Sequence, residues 1–372
     1  MFSQQELQRY NRHILLPEIG FIGQQKLKQA KVLVIGAGGL GCPILQYLTA
    51  VGVGTIGIID DDAVSISNLQ RQILFSEEDL GKPKVEVAKQ KLQKQNPHVT
   101  ITAHKEQLTT NNQQLIKEYD IIVDGTDNFP SRYLINDVCV LYNKPLVFGS
   151  IFKFEGQISV FNYKNGPTYR CLFPEPPNAD EVPNCSEIGV LGILPGIIGI
   201  LQANEVIKII TEIGKPLSGK LFIINTLSFA SQTIKFERNE KAMDDFRKQN
   251  PDISKINYES FCNSSNQLKW ADGMIKSITV EELKEKKINK EIFQLIDVRN
   301  QDEFEKENIG GVLMPLSTIE NNIEKINRDI PVVVHCQSGK RSERAIQLLQ
   351  DKYRFTNLLN LKGGIMAWLN ER

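Results

Sequence analysis

Two stretches of the sequence carry residue types whose spacing could do chemistry. The first is the loop Gly36-Ala37-Gly38-Gly39-Leu40-Gly41, which follows the apolar run Val32-Leu33-Val34-Ile35 and precedes a helical pattern from Pro43 to Ala50. Glycines let a backbone approach phosphate, and the unpaired N–H groups at a helix start point at the charge. A second apolar run, Thr55-Ile56-Gly57-Ile58-Ile59, ends on Asp60-Asp61-Asp62, where an acid suits ribose hydroxyls. On these residues alone a dehydrogenase fits as well as an ATP enzyme. The cations that follow separate the two. Ser67-Asn68-Leu69-Gln70-Arg71-Gln72 and Gly81-Lys82-Pro83-Lys84 bring Arg71 and Lys84 in soon after the second strand, and Arg9 and Arg12 lie near the N-terminus. Adenylyl or phosphoryl transfer needs cations while a bond to phosphorus breaks, and hydride transfer does not. Lys82 reads as a solvated surface charge. Asp127, in Gly125-Thr126-Asp127-Asn128 behind the run Asp120–Asp124, stands where a carboxylate can hold magnesium beside phosphates.

The second stretch is Pro331-Val332-Val333-Val334-His335 running into Cys336-Gln337-Ser338-Gly339-Lys340-Arg341-Ser342. A cysteine after a buried strand and at a helix start has its thiolate stabilised by backbone N–H groups and the helix dipole. Lys340 and Arg341 add positive charge, so the loop can cradle an anion on or beside sulfur. Both persulfide transfer and phosphate ester hydrolysis use such loops. The phosphatase pattern spaces its cysteine and arginine more widely than the four residues that intervene here, which favours a persulfide.

The elements that must position these groups alternate. Strands are expected near 32–35, 55–60, 99–104, 120–124 and 145–148, with helices near 4–11, 23–29, 41–50, 82–95, 111–117 and 129–142. That order gives an α/β fold, a doubly wound, mostly parallel sheet. Residues 156–163, 220–225 and 232–238 read as an antiparallel extension, and a helix is expected from about Pro195 to Ile213. Pro174 to Glu187 reads as a mobile loop and 241–272 as a polar linker. A smaller α/β unit then follows over 273–372. Lysine plus arginine, 44, equals aspartate plus glutamate, 44, so no global charge recruits nucleic acid or a membrane surface. The charge-free stretch Ile188–Asn204 contains glycines and Pro195 and falls short of the ~20 apolar residues of a membrane helix. The N-terminus shows no secretory pattern. The six cysteines are irregularly spaced, which suits a reducing cytoplasm.

Both halves resemble known families. Residues 1–240 resemble the E1-like adenylating enzymes of the MoeB/ThiF/HesA group, through Arg9-Tyr10-Asn11-Arg12-His13, the glycine loop, Ser67 to Gln72, Gly81 to Lys84, Thr126-Asp127-Asn128 and Glu155-Gly156-Gln157. Residues 273–372 resemble a rhodanese domain, through Asp297-Val298-Arg299, His335 to Ser342 and Gly363-Gly364-Ile365-Met366-Ala367-Trp368. The combination resembles the molybdopterin-synthase adenylyltransferase/sulfurtransferase type. The resemblance implies Gly39 in an ATP loop and Asp60 on ribose. It implies Asn68, Arg71 and Lys84 on the phosphates, Ser67, Leu69, Gln70 and Asn128 among the other nucleotide-binding residues, and Asp127 at magnesium. It implies that Arg12 reaches a partner subunit's site in a homodimer. Cys185, otherwise a plain loop cysteine, matches a reactive cysteine on a mobile crossover loop, and Cys336 would carry the persulfide. The implied substrate is a ubiquitin-like sulfur carrier with a Gly-Gly tail, MoaD-like or, with the same chemistry, ThiS-like for thiamine biosynthesis. A cysteine desulfurase is the implied sulfur source. A nicotinamide oxidoreductase and a nucleotide-binding scaffold without turnover are the rival readings. Many members bind structural zinc through two Cys-x-x-Cys pairs. Here the first reads Thr168-Tyr169-Arg170-Cys171 and the second has no counterpart, so no zinc site is expected.

Overall fold

The computed structural model of the chain describes residues 2–176, 189–240, 248, 252–264 and 275–370. It divides into two compact units, Met1–Ser265 and Asn266–Arg372.

The first unit is built on an eight-stranded sheet. Its strands are β1 Lys31–Ile35, β2 Thr55–Ile59, β3 Thr100–His104, β4 Ile121–Asp124, β5 Leu146–Phe152, β6 Glu155–Phe161, β7 Lys220–Asn225 and β8 Ser231–Lys235, in the order β3-β2-β1-β4-β5-β6-β7-β8. β1 to β5 are parallel, and β6 to β8 add on antiparallel. The central strands are almost wholly apolar because both faces are covered. Alternate residues go to opposite sides. Val32, Val34, Ile56, Ile58, Ile121 and Val123 join one core, whereas Leu33, Ile35, Ile59 and Ile122 join the other. On the first face lie α2 (Gly20–Gln29), α3 (Gly41–Val51), α4 (Lys84–Gln95) and the helix Leu194–Thr211. On the second lie a 3₁₀ turn, Gln113–Glu118, where a longer helix was expected, and α5 (Phe129–Leu141). N-terminal α1 (Gln4–Ile14) packs on α2 under a Ser3/Glu6 capping box. Among the described residues one helix, Leu194–Thr211, is long and apolar enough to cross a membrane. It packs on α3, β5 and β6 as a core helix, with Leu194, Ile198, Gln202 and Val206 buried.

Chain order turns outward in both directions from β1, so a crevice opens between the C-terminal ends of β1 and β4. Ligands of open α/β sheets bind at such switch points. The second unit is a parallel five-stranded sheet, with β9 Ser277–Ile278, β10 Gln294–Asp297, β11 Val312–Leu313, β12 Val332–His335 and β13 Leu358–Leu361 in the order β11-β10-β12-β13-β9.

The expected linker differs from what is observed. Residues 252–264 carry a 3₁₀ turn and a helix, Tyr258–Ser264, that packs on α5 within the first unit. Few apolar residues fall in this polar stretch, but Tyr258 and Cys262 are buried and Phe261 lies edge-on to Tyr133.

Candidate active site

The glycine loop leaves β1 at Gly36, whose φ of +95° only glycine adopts without strain. The loop is packed too tightly for side chains. A Cβ on Gly36 would sit 2.8 Å from the Gly125 carbonyl oxygen, which brings the loops after β1 and β4 into contact at the crevice. A Cβ on Gly41 would lie against the Gly36 carbonyl oxygen, inside van der Waals contact. Asp60, at the end of β2, locks the loop from the side. Its Oδ2 accepts the Ala37 N–H at 2.7 Å and its Oδ1 accepts the Asp62 N–H at 2.9 Å. Burial raises the Asp60 carboxyl above its ordinary pKa, with Lys84 the main opposing influence.

The expected cations gather here. The position a Cβ of Gly39 would take is 3.5 Å from Arg71 Cδ, so Arg71 lies alongside the glycine loop, and its Nη1 donates to the Ser67 carbonyl oxygen at 3.0 Å. Lys84, the first residue of α4, is buried at 3% exposure, and its Nζ donates to Asp62 Oδ2 at 2.6 Å. Ser67 and Gln70 are exposed and Leu69 packs on the core. Asn68 Oδ1 accepts from the Ser65 N–H at 3.4 Å. These four residues belong to the loop and 3₁₀ turn between β2 and α4.

Across the crevice, Asp124 ends β4, fully buried, its carboxyl raised by burial against the pull of Arg132. Its Oδ1 accepts from the Thr126 N–H and hydroxyl, which shapes the loop that presents Asp127. Asp127 is exposed and makes no hydrogen bond or ion pair among the described residues. An exposed, uncommitted hard-oxygen donor beside a phosphate crevice fits a magnesium ligand. The carboxylates of Asp60, Asp61 and Asp62 also lie within 4.8 Å of one another. They fit less well, because Asp60 serves two backbone N–H groups and Asp62 serves Lys84. Asn128 Oδ1 caps α5 through the Ser131 N–H at 2.9 Å. Arg12 stands on α1, exposed and without hydrogen bond or ion pair among the described residues.

Cys185 lies outside the described residues, which stop before it at Pro176. Arg170 pairs with Asp137 of α5, both buried, with Nε to Oδ1 at 2.7 Å and Nη2 to Oδ2 at 2.8 Å. Tyr258 Oη donates to the same Oδ2 at 2.9 Å. Arg170 Nη1 then donates to the Pro174 carbonyl at 3.3 Å and Tyr133 Oη to the Phe173 carbonyl at 3.1 Å. Cys171, beside this cluster, accepts at Sγ from the backbone N–H groups of Thr168 (3.4 Å) and Asn239 (3.2 Å).

In the second unit Cys336 follows β12 directly and is 1% exposed. Its Sγ accepts from the Gly339 N–H at 3.2 Å and lies 3.5 Å from the Ser342 hydroxyl. Gly339, at φ +96°, turns the loop into the helix Lys340–Tyr353. Arg341 corrects a sequence expectation. Its guanidinium forks onto Glu303 at 2.7 and 2.6 Å, so much of its charge is already matched, and backbone N–H groups with exposed Lys340 remain for the sulfur. The Asp62–Lys84 and Glu303–Arg341 pairings were not read from sequence. The acidic run after β2 was the one available signal for the first, and nothing local marks the second.

A tightly packed glycine loop, a carboxylate at the end of β2 and two cations meet on an α/β sheet, and a separate unit holds a cysteine in a backbone cradle. Together they define an E1-like adenylating enzyme with a rhodanese unit. The chain belongs to the ThiF family, whose pattern matches residues 10–244, and the pattern of the rhodanese-like domain matches residues 279–371. It is 40% identical to the probable adenylyltransferase/sulfurtransferase MoeZ of Mycobacterium tuberculosis, over 99% of this chain and 94% of that one. The adenylyltransferase and sulfurtransferase MOCS3 of Culex quinquefasciatus is 41% identical over 98% and 88%. The sulfur carrier protein adenylyltransferase of Thermus thermophilus is 47% identical over 64% of this chain and 91% of its own. Among solved structures, E. coli MccB with ATP superimposes with a TM-score of 0.56 at 27% identity, covering 64% of this chain and 74% of that one.

Proposed function

We propose that the protein adenylates the C-terminal Gly-Gly carboxylate of a ubiquitin-like sulfur carrier and converts it to a thiocarboxylate with sulfur held on Cys336. The observation that carries this reading is the meeting of the glycine loop, Asp60, Arg71 and Lys84, four separate segments, at the C-terminal ends of interior strands. In the first step the carrier carboxylate attacks the α-phosphorus of ATP, the α–β phosphoanhydride breaks, and pyrophosphate leaves. Arg71 and Lys84 offset the charge that builds on pyrophosphate. Asp127 would hold magnesium, which neutralises phosphate charge when bound. In the second, the terminal sulfur of a Cys336 persulfide attacks the acyl carbon and AMP leaves. The Cys185 thiolate then attacks Cys336 Sγ. That forms a Cys185–Cys336 disulfide, which an external thiol must reduce, and releases the thiocarboxylate.

A MoaD-like carrier, serving molybdenum cofactor synthesis, is favoured by the names of the full-length relatives. A ThiS-like carrier would undergo the same steps. We also propose a cytoplasmic homodimer supplied by a cysteine desulfurase. Leu7, Leu15, Leu16, Phe21 and Ile22, exposed large apolar residues in the same N-terminal stretch as Arg12, support the dimer. A zinc site is not part of the proposal, because Cys171 brings a single sulfur where four ligands are needed.

The test is carrier-dependent ATP–pyrophosphate exchange, followed by mass spectrometry of the carrier after addition of a sulfur donor. Exchange with a Gly-Gly carrier is expected, together with a gain of one sulfur for oxygen that Cys336→Ala abolishes. Absence of exchange would leave the scaffold reading standing, and unchanged thiocarboxylate yield in Cys336→Ala would remove the rhodanese unit as donor.

A further inference from the structure

We propose that Asp62 is a positioning residue for adenylate formation, aiming the Lys84 ammonium at the departing pyrophosphate. The proposal rests on the ATP-site assignment above. Lys84 has a flexible four-carbon stem and a compact charge, so its direction must come from its surroundings. Asp62 grips it at two points. Nζ donates to Asp62 Oδ2 at 2.6 Å, and the Lys84 backbone N–H donates to the Asp62 carbonyl oxygen at 3.0 Å. Asp62 is itself fixed, because its N–H donates to Asp60 Oδ1 at 2.9 Å while Asp60 Oδ2 accepts the Ala37 N–H at 2.7 Å. A chain of hydrogen bonds therefore runs from the glycine loop through Asp60 and Asp62 to Lys84, and places the cation relative to the backbone that cradles the phosphates.

The burial is asymmetric. The Lys84 side chain is 4% exposed and that of Asp62 is 66% exposed. An exposed carboxylate gains little from an ordinary surface ion pair. Here it serves a cation that has left water and needs a partner. Asp60 does not take this task, since both its oxygens are engaged by backbone N–H groups. ATP in the ground state is also held by the glycine loop and at the ribose, so loss of aim should appear in turnover more than in binding. Misplacement of a transition-state group by about 1 Å costs on the order of 100-fold.

The experiment compares Asp62→Ala, Asp62→Glu, Lys84→Ala and Asp62→Ala/Lys84→Ala in the full chain. The probe is a ubiquitin-like carrier ending in Gly-Gly encoded by the same genome. ATP–pyrophosphate exchange is measured, and single-turnover adenylate formation with enzyme in excess keeps slow variants readable. Asp62→Ala is expected to lower kcat about 10- to 100-fold, with the KM for ATP within about threefold. Asp62→Glu should recover part of the loss, and the double variant should be no slower than Lys84→Ala. A fall in KM with kcat unchanged would overturn the proposal, because Asp62 would then merely occupy the phosphate's place. So would a double variant slower than Lys84→Ala by the full Asp62→Ala factor, the result expected of a general loss of stability. If Asp62→Ala is fast while Lys84→Ala is slow, only the role of Asp62 fails. If Lys84→Ala is itself fast, the ATP-site assignment fails with it.

Discussion

Removal of the Asp137 carboxylate tests whether a buried ion pair anchors the chain at Phe173 and Pro174, ahead of Cys185 in sequence. In Asp137→Ala the Arg170 guanidinium keeps its cation–π contacts, 4.7 Å from the Tyr133 centroid and 4.9 Å from that of Phe261, but loses its counter-charge. Asp137 is 6% and Arg170 4% exposed, so solvent replaces little of what is lost. Breaking a buried pair from one side costs about 3–5 kcal/mol. The first unit spans 265 residues. At about 2.1 cal/mol/K per residue its unfolding entropy is ~0.56 kcal/mol/K, so a cost of about 4 kcal/mol lowers Tm by about 7 °C. Tyr258→Phe removes one hydrogen bond to the same carboxylate while Arg170 remains, a cost of ~1.5 kcal/mol and a shift of about 3 °C. No tryptophan falls within Met1–Ser265, and Trp368 lies in the second unit. The calorimetric transition of the first unit should therefore move while the tryptophan fluorescence midpoint stays. Arg170 and Tyr133 also hold the carbonyls of Pro174 and Phe173, just before the Cys185 segment. Asp137→Ala should then speed cleavage by a glutamyl endoprotease at Glu181 or Glu187. Equal shifts for the two variants would refute the argument, because the ion pair would then carry no more than a neutral hydrogen bond does.

Burial holds the His335 imidazole down to about 4, against the attraction of Asp297 with its Oδ2 3.8 Å away. The folded state therefore prefers the neutral ring. The second unit should keep its full stability above about pH 6.5 and lose about 3 kcal/mol as pH falls from ~6.5 to ~4, a slope that His335→Phe removes in urea unfolding followed by tryptophan fluorescence. Gly41→Ala forces a methyl onto the Gly36 carbonyl oxygen, and strain of about 1–3 kcal/mol in the cradle should weaken MgATP binding ~10- to 100-fold by calorimetry. Glu303→Ala frees Arg341 from a half-exposed fork and should cost only ~1 kcal/mol of stability, while persulfide loading of Cys336, read by mass spectrometry, rises because the guanidinium charge becomes available to the sulfur.

What could be read from sequence, and what could not, follows the range of each interaction. The glycine loop, the acid after β2 and the cysteine after β12 were legible because each is a local pattern in which strand, turn and helix start are contiguous. The doubly wound, mostly parallel character of the sheet was legible because βαβ alternation admits few topologies. Residues 252–264 were misread as linker because composition reports an average. Their docking rests on Tyr258, Phe261 and Cys262, and Tyr258 Oη reaches an aspartate 121 positions away. Arg341 was misread for a related reason, since its charge was legible while the partner that matches it, Glu303, lies 38 residues earlier. Lys84 and Asp62 are 22 residues apart, and only the fold shows that the lysine is buried and the aspartate is not. A cation's sequence position therefore shows that charge is present, and its partner decides what that charge does. At Arg341 the partner largely neutralises it. At Lys84 a mostly exposed partner holds a buried ammonium in one place, tied through Asp62 and Asp60 to the glycine loop, and its proposed role in adenylate formation rests on that tie.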